Sequence, residues 1–319
     1  MLDDARSVDP RDDERDPREI DVRWVSLDHE PSDTHDVDLR DREPENRDRD
    51  RDSHDRHDPR DAFVHDLELP RDRDRELVID RDRQYELNGE GTRTLAAAGA
   101  FRVVSERDLP SDERKTVRDL SEQGLVRSIA VDERDRAITL TERGRRVLEN
   151  HRRERDDRRG RDNRRQTFHS GVRNPRELKH DATLYRAYQR AEERLRERGA
   201  DVRRVVLEGE LKREYQRFLQ ERNRDRPDSD GRPDRDRREI EAWAREHDLP
   251  CRDGSVQFPD FRIEYVIRGL EEHEDIEVLT GHYRGGHAAG RASSGFTCYS
   301  ESGRHGSSPF DPGLAQEFV

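Results

Sequence analysis

Apolar positions alternate with polar ones between Leu125 and Val131, where Leu125, Ile129 and Val131 mark a period of two. The charged run Asp132-Glu133-Arg134-Asp135-Arg136 turns the chain, and Ala137-Ile138-Thr139-Leu140 brings it back. Thr141, followed three residues later by Gly144, opens a helix that carries Val147 and Leu148. Leu125 to Glu149 is therefore predicted as strand, charged turn, strand and helix. Upstream, Thr92 to Phe101 reads as a helix with Leu95 and Ala98 on one face, ending near a glycine. Val103-Val104 follows, and Ser105 caps a short helix from Glu106 to Leu109. Pro110-Ser111-Asp112 begins the next helix, with Ser111 at its cap, Val117 and Leu120 facing inward and a stop at Gln123-Gly124.

The later half changes rhythm. His180 to Gly199 has Leu184, Ala187, Tyr188, Ala191 and Leu195 on one side, a helical spacing that ends at a glycine. Val202 to Leu207 reads as a strand, Glu210 to Leu219 as a helix, and the charged run from Asn223 to Glu239 as a loop leading to a helix around Trp243. Phe258 to Ile267 and Asp275 to Thr280 are two strands joined by a polar turn. A glycine-rich segment and the apolar piece Gly295 to Tyr299 close the unit. This order of helices and strands is an α/β (α+β) pattern.

Composition divides the chain further. Only 28% of residues are apolar while 44% are charged. Residues 1–85 hold 17 arginines and no lysine against 30 carboxylates, a deficit equal to the whole-chain net charge of −13, so residues 86–319 are close to neutral. Stretches such as Arg47 to Asp61 alternate opposite charges and bury nothing to offset the ordering entropy of roughly 1–2 kcal/mol per residue. Residues 1–62 are expected to be a disordered charged tail. Phe63, Val64, Leu67, Leu69, Leu77, Val78 and Ile79 supply a lead-in (63–85) that packs against the first domain (86–158). A basic linker (159–176), a second domain (177–303) and a flexible tail (304–319) complete the expected layout.

No apolar run approaches the ~18 residues that span a bilayer, and no secretory segment follows Met1, so a cytoplasmic setting without membrane contact is expected. Cys251 and Cys298 are too few and too far apart for a disulfide framework or a cysteine zinc site.

Helices, hairpin and final helix in the first domain have the order of a winged helix, whose third helix enters the major groove of DNA. That helix, Ser111 to Gln123, sets Arg114, Lys115 and Arg118 against Asp112, Glu113, Asp119 and Glu122, so it is not basic overall. Arg134 and Arg136 sit at the tip of the wing, where phosphate contacts are made. Arg143, Arg145 and Arg146 open a run to Arg165 with 11 arginines against five acids. Backbone-led attraction to DNA is the expectation; a protein-binding winged helix and a purely structural one are the alternatives. The segment DLSEQGLVRSIAVDERDRAITLTERGRRVLE (Asp119 to Glu149) resembles the winged helix of MarR-type transcriptional regulators over about 60 residues. Those regulators carry dimerising helices at both ends, and the segment before Phe63 has none to offer.

In the second domain, Pro259-Asp260 opens a strand and Glu277 follows 17 residues later, so adjacent strands can bring the two carboxylates together. Nucleases use such a pair to hold Mg²⁺, which activates water and neutralises the phosphate. The arrangement resembles the PD-(D/E)XK pattern of restriction-endonuclease-like folds, which implies Asp260 and Glu277 as catalytic and metal residues and Mg²⁺ as cofactor. The pattern's lysine would stand at Leu279, and no lysine follows Lys212. Arg291 brings positive charge, but a guanidinium does not shuttle protons. The bland alternative is a turn before a strand and an exposed strand Glu.

The wider order of landmarks is similar to replication-relaxation proteins of bacterial plasmids and mobile elements. It comprises the hairpin unit, a helix opening with His180-Asp181, Pro259-Asp260, Glu277 and then Arg291 through Tyr299. The blocks Leu69 to Glu76 and Arg93 to Leu109 are similar to those of hypothetical proteins from integrative elements. The resemblance implies a DNA-linked role in replication or mobilisation, with a relaxase or replication protein as partner and an inactive nuclease-like second domain. An active Mg²⁺ nuclease and a DNA-free adaptor are the rivals. His282, His287 and His305 lack a trusted zinc spacing, and the glycines at 281, 285, 286 and 290 lack the GK[ST] of a phosphate loop. Tyr283, Phe296 and Tyr299 are expected in the core rather than as base-stacking platforms.

Overall fold

A computed structural model of the chain describes residues 57–153, 165–223, 235–279, 295–300 and 309–310. The hairpin β1 (Glu76–Asp80) and β2 (Arg83–Leu87) comes first. Helix α1 (Gly89–Phe101) follows, started by the Asn88 side chain, which accepts from the Gly91 N–H at 2.9 Å. After β3 (Val104–Ser105), two short 3₁₀ turns at Glu106–Asp108 and Ser111–Glu113 lead into α2 (Arg114–Glu122). Ser105 caps the first turn as expected, at 3.4 Å from the Arg107 N–H; Ser111 makes no capping bond, because the chain enters α2 through a 3₁₀ turn. Strands β4 (Val126–Ala130) and β5 (Arg136–Leu140) form the expected hairpin, and α3 (Glu142–Asn150) closes the unit. The three-stranded sheet has the order β3-β5-β4.

Local chemistry accounts for the glycine–threonine–glycine spacing here. Gly124, at φ 70°, ends α2 while the Leu125 N–H returns to the Leu120 carbonyl. Thr141 Oγ1 donates to the Gly124 carbonyl at 2.7 Å and accepts from the Gly144 N–H at 3.1 Å. A side chain at Gly144 would meet the Leu125 carbonyl oxygen at 2.1 Å, so only glycine fits. In α1, by contrast, Gly99 lies inside the helix, packed by Phe168, Leu140 and Leu148; the helix stops at Arg102, with no glycine there.

The second unit begins with α4 (Leu178–Glu197), β6 (Ala200–Leu207), α5 (Glu208–Gln220) and α6 (Arg237–Glu246). A small hairpin, β7 (Cys251–Arg252) and β8 (Ser255–Val256), precedes β9 (Phe261–Ile267), β10 (Leu270–Leu279), β11 (Thr297–Ser300) and β12 (Pro309–Phe310). The five-stranded sheet runs β12-β11-β10-β9-β6, antiparallel throughout except for the parallel pair β10–β11. The chain is of the mixed α/β class. Arg262 and Asp275, both buried, bridge β9 and β10 with two bonds of 2.7 and 2.9 Å, and Arg262 also holds the carbonyls that end α6.

One apolar core runs through both units. Phe101 of α1 stacks edge-on or tilted against Phe63, Tyr185, Tyr188 and Phe261, with ring centroids 5.1–5.8 Å apart. A second cluster on the outer side of β6 gathers Leu211, Trp243, Leu249 and Phe258. Phe296 and Tyr299 are core residues, as expected. Cys251 and Cys298 are not joined in a disulfide. Among the described residues no helix is long and apolar enough to cross a membrane.

Two boundaries and one packing expectation differ from the sequence reading. Residues 57–62, assigned to the tail, belong to the fold: Arg60 is 1% exposed and is held by Asp58, Glu90, Thr94 and Glu113. In the lead-in, Leu77 and Ile79 point to solvent, because a two-stranded hairpin buries one face only, and here that face carries Val78, Tyr85 and Leu87. From residue 165 the linker is clamped between the units. The Gln166 side chain bonds both the N–H and the carbonyl of Val205 at 2.8 and 3.0 Å, and Phe168 is buried.

Burial pushes the Glu113 carboxyl up to about 7, with the Glu90 carboxyl adding to the rise and Arg60 and Thr94 opposing it. The folded chain therefore holds this proton more tightly than the unfolded chain, whose carboxyl titrates near 4.5. That contribution to stability is complete below about 4.5 and is lost as pH rises through about 7. Urea unfolding across this window should show the decline, and Glu113→Gln should flatten it.

Candidate nucleic-acid interface

Helix α2 buries Val117 and Leu120, which turns Arg114, Lys115 and Arg118 to solvent. Its flank is occupied: Gln123 exchanges side-chain bonds with the backbone of Glu86 at 2.7 and 3.1 Å, and Arg75 of the first hairpin pairs with Asp119. Arg118 donates to Glu122 one turn away at 2.8 Å. Arg114 and Lys115 make no ion pair among the described residues, so they hold the uncommitted charge of this helix.

The hairpin tip is built by Asp132, whose carboxylate accepts from the Arg134 and Asp135 N–H groups at 2.8 and 2.9 Å. Arg134 and Arg136 are exposed, and Arg136 also donates to Ser128 Oγ at 3.0 Å. The tip is less open than the sequence suggests. Ile129 and Val131 pack with Leu178 and Ala182 of α4, and Arg186 of α4 grips Asp108 through bonds of 2.8 and 3.0 Å. One side of the hairpin is thus an internal interface. On α3, Arg143 lies over Gly124 and Arg145 bonds Glu142 at 3.0 Å, while Arg146 is exposed. Much of the arginine run beyond residue 153 lies outside the described residues.

A second polar cluster occupies the seam between the units. Arg102 Nη2 lies 3.2 Å from His169 Nδ1, and His169 Nε2 lies 3.2 Å from Glu210 Oε1 in the first turn of α5. Since a guanidinium only donates, the Arg102 contact is a hydrogen bond in the tautomer whose Nδ1 accepts and whose Nε2 donates to Glu210. Burial opposes ionisation of Glu210, but bonds from His169 and Thr167 outweigh it and hold the carboxyl below its ordinary value.

The β9–β10 register pairs Phe261 with Ile276, which sets Asp260, just before β9, level with Glu277 on β10. Glu277 is 1% exposed, unlike the exposed strand residue of the bland alternative. Asp260 Oδ2, however, already accepts from the Val278 N–H at 2.7 Å and from His180 Nε2 at 3.2 Å. Burial works against charge on His180, yet bonds to Asp181 and Asp260 prevail and push its pKa up to about 10. At neutral pH an imidazolium therefore neutralises Asp260. Leu279 fills the lysine position and is buried. The residues present do not fit Mg²⁺: the acid that should bind it is engaged, and among the described residues no three His, Cys, Asp or Glu side chains group as metal ligands.

His180 was visible in the sequence only as the opening of a helix. Its role depends on Asp260, 80 residues away, and no local pattern encodes that contact. His169 and Glu210 carried no signal at all. His282, His287, Tyr283, Arg291, His305 and the glycines at 281, 285, 286 and 290 lie outside the described residues. Compared with family models, with curated proteins and with solved structures, the chain has no match.

Proposed function

We propose that this is a DNA-binding protein whose first unit acts as a winged helix and whose second unit is a restriction-endonuclease-like domain without nuclease activity. The observation that carries the reading is the outward face of α2: an amphipathic helix beside a hairpin, with Arg114 and Lys115 unneutralised and Arg134, Arg136 and Arg146 exposed nearby in the chain. The sheet order β3-β5-β4 beneath it suits that reading. Contact is backbone-led, because Arg118, Arg143 and Arg145 are tied to protein partners and leave few side chains to read bases.

For the second unit, the support is a meander β6-β9-β10 followed by a parallel β11, with paired acids at one end of the sheet. The His180 imidazolium on Asp260 argues for silence. The likeness to replication-relaxation proteins would set this binding in plasmid or mobile-element maintenance, inside the cell, with a relaxase or replication protein as partner.

A mobility-shift titration at two salt concentrations, followed by Mg²⁺, tests both halves. The expected result is a shift that weakens at the higher salt, with intact DNA after Mg²⁺. Absence of a shift at either salt leaves the adaptor reading. Cleavage that disappears on Asp260→Ala overturns the silent domain.

A further inference from the structure

Three guanidinium groups gather at the first turn of α5 without a carboxylate partner. Arg102 follows α1 at φ 67° and ψ −43°, the centre of a γ-turn closed by the Val103 N–H on the Phe101 carbonyl at 2.7 Å, a strained conformation for a residue other than glycine. Its Nη2 lies 3.2 Å from His169 Nδ1, a ring nitrogen and not a carboxylate. Arg173 reaches over Gly209, where an added Cβ would meet its Nη1 at 2.9 Å. Arg213 is anchored on the same residue, its Nε donating to the Gly209 carbonyl at 3.0 Å. None of the three forms an ion pair among the described residues. Neighbouring acids are committed elsewhere: Glu210 to His169 and the Leu207 N–H, Asp181 to His180, and Glu208 to Lys212. Burial holds Arg102 below its ordinary value, and the charges of Arg173 and Arg213 add to this against Asp181 and Glu210. Like charges drawn together in this way are the counterpart of an anion.

We propose that Arg102, Arg173 and Arg213 form a binding site for a phosphate group, separate from the α2 face. The phosphate is either free or part of a nucleic-acid backbone, since both present the same oxygens to a guanidinium fork. The site stands independently of the DNA reading.

Calorimetric titration of the full chain with inorganic phosphate, alongside anisotropy of a labelled duplex, tests it. Two variants are needed: Arg173→Ala/Arg213→Ala, whose side chains are exposed, and Gly209→Ala, whose Cβ displaces the Arg173 guanidinium. Each should weaken phosphate about tenfold or more, the order expected for a lost charge-assisted hydrogen bond, with an unfolding midpoint no lower than that of the wild type. If duplex binding also loses about one to two units of salt slope, the phosphate is that of DNA; if duplex binding is unchanged, the ligand is a free phosphate. Phosphate binding by a chain that ignores DNA keeps this site and removes the DNA reading. No phosphate heat in the wild type, or equal heat in both variants, overturns the proposal.

Discussion

Phe101→Ala should cost about 3–5 kcal/mol, the range for removing a buried phenyl ring from a packed core. The ring is fully buried and touches four aromatic side chains from three segments, Phe63, Tyr185 and Tyr188, and Phe261. Two of these lie on α4 and one on β9, so the cavity opens on both sides of the seam. Loss of the ring should therefore destabilise both units together. Urea unfolding in a Trp24→Phe background, followed by Trp243 fluorescence, which then reports the second unit, and by far-ultraviolet dichroism should give coincident transitions, shifted alike in the variant. A first unit that melts separately, leaving the Trp243 signal in place, would mean that the shared core does not couple them.

Arg60→Ala should have an effect of similar size by a different route. Arg60 is 1% exposed, and the Asp58 and Glu113 carboxylates converge on it, with Glu90 at 3.0 Å. Burial raises the Asp58 carboxyl, but hydrogen bonds and charge from Arg60 outweigh it and keep Asp58 ionised. Without the guanidinium these acids are left buried against one another, and breaking a buried pair from one side costs about 3–5 kcal/mol. The control is the double variant Arg60→Met/Glu113→Leu, which should recover much of the loss, since apolar replacement of both partners removes the stranded charge. A loss below about 1 kcal/mol in the single variant would show the network to be solvated, as surface pairs are.

The sequence was most readable where burial is one-sided and local. Helices α4, α5 and α6 follow from spacing, because each buries one face, whereas strand β6 and the β4–β5 hairpin were read from their apolar residues although they pack on both sides. Strand β10 was only half read: Leu270 to Glu274 is charged and starts at an exposed Leu270, so its alternation carries no apolar signal. The β1–β2 hairpin was missed for the related reason that its outward face holds Leu77 and Ile79 while Asp80 turns in, bonded to Asn150 at 2.6 Å. Arg60 was beyond reach. In a run of alternating charges nothing marks one arginine for burial, and its partners lie up to 53 residues away. At the candidate site, the placement of Asp260 and Glu277 at one level of neighbouring strands followed from strand spacing, whereas the occupation of Asp260 by His180 did not.

We propose that α2 meets a phosphate backbone through charge, and the salt dependence of duplex binding is the measurement that decides it. Anisotropy of a labelled duplex should give a negative slope of log K against log salt, about 0.9 for each phosphate neutralised. Arg114→Ala/Lys115→Ala should make that slope shallower by about two while leaving the unfolding midpoint in place, because both side chains are exposed. A wild-type chain that binds no duplex at low salt, or a double variant with the wild-type slope, would contradict the account.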